Sequence, residues 1–209
     1  MERISCVFQT KITRGLFRLS GTSPNYYPLY GIDEGTMEPA DLLRDLTFLK
    51  AEKDLATRFG LPTEVFLPLF FSIRYGGDWS YSSENRRAVA VMKKTSVYDE
   101  ETQTGASQEE IYLLINPEIT ESEGTVHRLE KCGNKPIRLL VERPFRIRAR
   151  ADRILKMTID PLAGEITVRD TNRQEISFEG SPAYGLAHEI EHLEHQEITG
   201  RDLSELRFV

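Results

Sequence analysis

Cysteine and histidine are scarce in this chain, at two and four among 209 residues. Two cysteines exclude a disulfide scaffold and fit a reducing compartment. Long hydrophobic runs are missing too. A membrane helix needs about 20 consecutive apolar residues, and the most apolar stretch, Val65 to Ile73, is too short and carries Pro68. A basic surplus is also lacking: the net charge of −6 gives no strong signal for nucleic-acid binding. The rest is ordinary for a globular chain. With 39% hydrophobic and 29% charged residues, the composition suits one substantial core in a single domain spanning 1–209.

Because histidine is scarce, its clustering is informative. His188-Glu189-Ile190-Glu191-His192 places two histidines four apart, on one face of an α-helix. Both imidazoles can then reach one divalent metal, and Glu189 can take a proton from water that such a metal activates. The surrounding residues predict the helix. Ser181 is a candidate cap, Pro182 suits a first turn, Gly200 is a candidate stop, and Leu186, Ile190 and Leu193 form an apolar stripe.

A catalytic metal site needs a third protein ligand and an open position. Little chain follows His192, and Glu194, His195 and Glu197 lie too close along the same helix to turn back. Glu205 would serve an ordinary metallopeptidase with a downstream ligand. The better candidate is upstream, where Cys132 follows Leu129-Glu130-Lys131 and precedes Gly133-Asn134. One thiolate with two imidazoles is a standard ligand set for zinc or iron.

Cys132 and the histidine pair together make the chain resemble a peptide deformylase. That family carries a Glu-Gly-Cys-Leu-Ser segment, then strands, then a helix with Gln-His-Glu-x-Asp-His. Ile115-Asn116-Pro117-Glu118-Ile119 is similar to its Ile-Asn-Pro strand, and Val141-Glu142-Arg143-Pro144 to its Val-x-Arg stretch. Ile159-Asp160-Pro161-Leu162-Ala163-Gly164-Glu165 is similar to its Asp-x-x-Gly hairpin, so the likeness runs from about Ile111 to Asp202. It implies an α+β fold, with mixed, mostly antiparallel sheets around a central C-terminal metal-binding helix. It also implies that Cys132, His188 and His192 hold one divalent ion, usually Fe²⁺, with Zn²⁺, Ni²⁺ or Co²⁺ able to replace it. Glu189 becomes the general base and acid, and the Gly133 N–H a donor to the oxyanion. The reaction is removal of the N-formyl group from the initiator methionine of a nascent chain, releasing formate, with the ribosome as a candidate partner.

The departures concern the rim. Aligned without gaps through Leu55 to Phe66, the family's Gly-x-Gly-x-Ala-Ala-x-Gln motif puts Ala51 and Lys53 at its glycines. Arg58 then stands at its oxyanion-binding glutamine, as a charged donor. Lys131, Asn134, Ala187 and Glu191 replace the family's glycine, serine, glutamine and aspartate. Arg143 is expected to pair with Glu191 and brace the metal helix. Two readings follow: an active, divergent deformylase, or a catalytically inactive relative serving as a structural or binding component near an organellar ribosome. Retention of Glu189 beside the three ligands favours the first.

Elsewhere the pattern predicts a helix from about Pro39 to Gly60, and strands near Val65–Phe71, Ala88–Lys93, Tyr112–Ile119 and from Ile137 onward. Residues 1–25 read as a basic arm that resembles an organelle transit segment, so a mitochondrial location is expected, with cytoplasm the alternative. An insertion at about 71–110 reads as a polar loop with aromatic anchors, then a flexible acidic stretch from Asp99 to Glu110; as a whole it is a candidate lid or docking segment. Arg146, Arg148 and Arg150 alternate with apolar residues, and one strand face would carry all three.

Overall fold

A computed structural model describes residues 39–101, 103–131, 137–160, 164–195 and 198–202. The basic arm at 1–25 lies outside them. The first helix, α1 (Pro39–Phe59), matches the expected span, and Gly60 follows it at φ +64, the left-handed conformation that ends helices at little cost. Next comes a correction. Val65–Phe71 is not a strand: Thr63–Phe66 forms a 3₁₀ turn and Leu67–Tyr75 a second helix, α2, with proline in its first turn. A short apolar run fits a buried helix as well as a strand, and Pro68 was the helix-start signal.

The strands are β1 (Trp79–Ser83), β2 (Arg86–Asp99), β3 (Thr104–Ile115), β4 (Glu118–Glu123), β5 (Val126–Glu130), β6 (Leu139–Arg143), β7 (Arg146–Arg150), β8 (Arg153–Asp160), β9 (Glu165–Asp170), β10 (Glu175–Glu179) and β11 (Arg201–Asp202); a third helix, α3 (Ser181–His195), falls before the last. They form a five-stranded sheet in the order β1-β2-β3-β8-β9 and two three-stranded sheets, β10-β7-β4 and β11-β6-β5. Neighbours pair antiparallel throughout the described residues. The α+β, mostly antiparallel expectation holds.

The segment 71–110 is more ordered than expected. Its acidic part is no flexible tether, because Asp99 pairs with Thr104 and the ladder runs unbroken to Ala88 opposite Ile115. Its first part closes on an aromatic cluster of Phe71, Tyr75 and Trp79 and continues into β1.

Alternation along β2 and β3 splits the core in two. Ala88, Ala90, Met92, Ile111 and Leu113 face a layer made by Val65, Phe66, Leu69 and Phe70, with Leu55 and Phe59 of α1 packed behind. Val89, Val91, Leu114 and Ile154 face the other way, onto Ala183, Leu186, Ala187 and Ile190 of α3 and onto Ile147, Ala149 and Phe178. So α3 is enclosed between the main sheet and the β10-β7-β4 sheet. Asn116, at φ +51, locks the end of β3: its side chain accepts from Arg87 N at 2.9 Å and donates to Asp152 at 2.6 Å.

The arginine row is a solvated face. Ile147 and Ala149 point inward, while Arg146 pairs with Glu123 and Glu179, Arg148 with Glu121, and Arg150 with Glu175. Acids from both flanking strands neutralise it, which removes the free positive charge that an RNA surface needs.

Candidate functional site

The histidine helix forms as expected, with two corrections at its ends. Gly180, at φ +69, is the cap: its carbonyl accepts from Ala183 N and Tyr184 N, both at 3.0 Å, and Ser181 is already helical. Gly200 lies beyond the helix against β6, where a side chain would meet Val141 Cγ1 at 2.6 Å and Leu140 O at 2.8 Å.

One turn apart on α3, His188 and His192 bring their Nε2 atoms to 3.0 Å. Two nitrogens each about 2.0–2.1 Å from one tetrahedral ion would be separated by roughly 3.3 Å, so the pair is close to ligating geometry. The tautomer is set from behind. Glu130 Oε2 lies 2.8 Å from His188 Nδ1, so that nitrogen donates, and in the neutral ring the lone pair is then on Nε2. A carboxylate behind an imidazole is the arrangement that metal-binding histidines commonly show.

Glu130 is in turn fixed by Arg143, whose Nε lies 3.1 Å from both its oxygens and whose Nη2 donates to Oε2 at 2.8 Å. Arg143 also donates from Nη1 to Glu191 at 2.8 Å. The expected Arg143–Glu191 pair is therefore formed, and it is buried, with side-chain exposures of 7% and 12%. Glu191 further accepts from Thr199 N at 2.7 Å and Thr199 Oγ1 at 2.5 Å. Burial works against the charge on Glu130, but hydrogen bonds from His188 and Arg143 outweigh it and lower its pKa to about 2. The same contest, decided by Thr199 and Arg143, leaves Glu191 below the usual carboxylate range.

Glu189, the candidate base, is buried on the side of α3 that meets β1. Ser80 Oγ donates to its Oε2 at 2.6 Å. Beside it lies Asp78, seated over Gly185 so closely that a Cβ at that position would fall within its carboxylate. Met92 N donates to Asp78 Oδ1 at 2.7 Å. Burial raises the Asp78 carboxyl to about 6; the Glu189 charge adds to this, while the Met92 N–H and His188 oppose it.

The other expected residues fare unequally. Cys132 and Gly133 lie outside the described residues, as does Glu205. Among the described residues no group of three His, Cys, Asp or Glu side chains is placed to hold a metal. Lys131, the last described residue before Cys132, directly follows Glu130, the carboxylate behind His188. Arg58 is not brought to the site. It is exposed near the end of α1, with Cζ 5.1 Å from the Phe59 ring, and α1 packs against the face of the main sheet opposite α3. An oxyanion donor there would have to cross the sheet. The segment beside α3 is instead the one from Asp78 through Ser80, which opens the edge strand β1.

Sequence reasoning missed Glu130, Asp78 and Ser80. Glu130 had one signal in the sequence, its position two residues before Cys132. Asp78 and Ser80 lie more than a hundred positions before α3 and carried none. Comparisons with family models, with curated proteins and with solved structures return no match. No described helix is long and apolar enough to cross a membrane.

Proposed function

We propose that the chain is a metal-dependent hydrolase of the deformylase kind, removing an N-formyl group from an amine and releasing formate. The observation that carries this reading is the pair of Nε2 atoms 3.0 Å apart, with Glu130 holding His188 in the ligating tautomer. His188 and His192 would hold the ion, and Cys132 is the third ligand that the resemblance assigns. Fe²⁺, Zn²⁺, Ni²⁺ and Co²⁺ all suit that donor set. When bound, the ion would polarise the formyl carbonyl and acidify water.

The chain's own groups supply the rest. Glu189 Oε2 is held by Ser80, so Oε1 is the oxygen left to take a proton from the attacking water. The new C–O bond forms at the formyl carbon, the C–N bond breaks, and Glu189 returns the proton to the departing nitrogen. The products are formate and a free amine. Negative charge on the carbonyl oxygen falls to the Gly133 N–H, the donor that the resemblance assigns. Glu130, Arg143 and Glu191 keep the helix and its imidazoles oriented while the charge at the centre changes.

The test is formate release from a formyl-methionyl peptide by anaerobically purified, iron- or cobalt-loaded protein beside a Glu189→Ala control. Release that depends on Glu189 is the expected result. Full metal occupancy without release would overturn it and leave a binding protein that kept an enzyme's site.

A further inference from the structure

The strand that delivers Glu130 to His188 also delivers Arg128. Strand β5 alternates, with Val126, Arg128 and Glu130 partly covered and His127 and Leu129 exposed. Arg128 Cζ lies 4.3 Å from the ring centroid of Tyr184. On α3, Tyr184 precedes His188 by one turn, a rise of about 6 Å, on the same face. A guanidinium therefore sits on an aromatic plate beside the histidine pair.

That guanidinium is incompletely satisfied. Arg128 Nε is buried without a hydrogen-bond partner, and the nearest carboxylate oxygen, Glu130 Oε1, is 3.7 Å away. Glu130 Oε2 is taken by Arg143 and His188, and Oε1, which shares the Arg143 Nε, stands beyond hydrogen-bond reach of Arg128. The Arg128 side chain as a whole is 41% exposed, so a ligand can reach it. Contact with the Tyr184 ring restrains the guanidinium, so less entropy remains to be lost when a planar partner binds its terminal donors. Carboxylate is the partner that matches the fork in charge and shape.

We propose that Arg128, held by Tyr184, is the specificity-determining residue of this site and selects substrates carrying a carboxylate on the residue whose amide is cleaved. The proposal rests on the hydrolase reading above and narrows it: an acidic N-formyl residue, or a free N-formyl amino acid, is preferred to an interior formyl-methionine. In either case the carboxylate lies a few bonds from the scissile carbonyl, roughly 4–7 Å away, comparable with the single helical turn between Tyr184 and His188.

The experiment compares three probes on the cobalt-loaded full chain: an N-formyl-glutamyl peptide amide, free N-formyl-methionine, and an N-formyl-methionyl peptide amide. At least one carboxylate-bearing probe is expected to exceed the methionyl amide by about tenfold or more in kcat/KM, the scale of one charge-assisted hydrogen bond. Arg128→Leu should abolish that advantage while sparing the methionyl amide, and Arg128→Lys should restore only part of it. The glutamyl amide and the free acid separate a side-chain carboxylate from an α-carboxylate. A methionyl preference unchanged in Arg128→Leu would overturn the proposal. Should no probe release formate, the hydrolase reading fails by itself, and calorimetric titration with N-formyl-glutamate and N-formyl-methionine amide decides the rest. Tighter binding of the glutamate that Arg128→Leu removes supports the carboxylate site, and equal binding of both compounds overturns it.

Discussion

Two buried glutamates on opposite sides of the main sheet behave in opposite ways. Glu52, on α1, is buried at 5% exposure and burial raises its carboxyl to about 7. Glu130, on the α3 side, is nearly as buried at 10% exposure, yet a guanidinium and an imidazole lower it to about 2. Burial alone favours the neutral acid, whereas burial among donors favours the anion. The α1 side is built on apolar packing of Val65, Phe66 and Leu69 against Ala88, Ala90 and Leu113. The α3 side places Glu130, Arg143, Glu191, Ser80 and Asp78 around the helix, where they hold His188 and Glu189 by hydrogen bonds and fill the space over Gly185. One layer is apolar packing and the other a buried polar network.

The comparison is sharpest at Glu189. Glu189→Gln should lower the rate of formate release by about 10²–10⁴-fold, the usual contribution of a general base, with no loss of bound metal. Retained turnover would remove the base from the mechanism. Next is Arg143→Ala, which strands Glu130 and Glu191 in a buried place. It should cost about 3–5 kcal/mol of stability and weaken metal binding by about 10–100-fold, read by urea unfolding and competitive chelation. Leu69→Ala, on the other layer, should cost about 2–5 kcal/mol and leave metal affinity unchanged. Equal effects of the two on metal binding would break the division between layers.

A smaller effect is expected from Glu52, and its sign follows from the direction of the shift. A carboxyl raised from 4.5 to about 7 binds its proton more tightly in the folded state. Folding is therefore favoured at low pH, and that stability is lost as the pH rises from about 4.5 through 7. Glu52→Gln should then stabilise the protein at pH 8, by up to about 3 kcal/mol, and hardly at pH 4. Glu130 works in reverse: its stabilisation is present above 4.5 and fades as the pH falls toward 2. The smallest effect is Arg148→Ala, which breaks an exposed pair with Glu121 and should change stability by less than about 1 kcal/mol.

Legibility in the sequence followed the range of the interactions. Helix α1 was readable because leucines at helical spacing and a terminal Gly60 are local signals. Helix α3 was readable for the same reason, and so was the histidine pair, whose geometry is set by four consecutive peptide units. The α2 helix was misread because nine apolar-rich residues satisfy two periodicities. The acidic stretch after Asp99 was misread because polar composition was weighed above pairing, and the partner strand holds it by backbone bonds that composition does not encode. The Arg143–Glu191 pair was anticipated as a brace on the helix, but its link through Glu130 to His188 was not. Arg58 was assigned by carrying an alignment across a region where the chain turns to the other side of the sheet. Ser80 and Asp78 reach α3 only when the sheet assembles, and nothing in their neighbourhood announces it.

Gly185 and Asp78 share one parcel of space, so their substitutions are tied. Any side chain at 185 evicts the Asp78 carboxylate and with it the anchor that Met92 N gives β1. Drift at either position is therefore expected to be answered at the other. Asp78→Gly is the change that would first make room for Gly185→Ser.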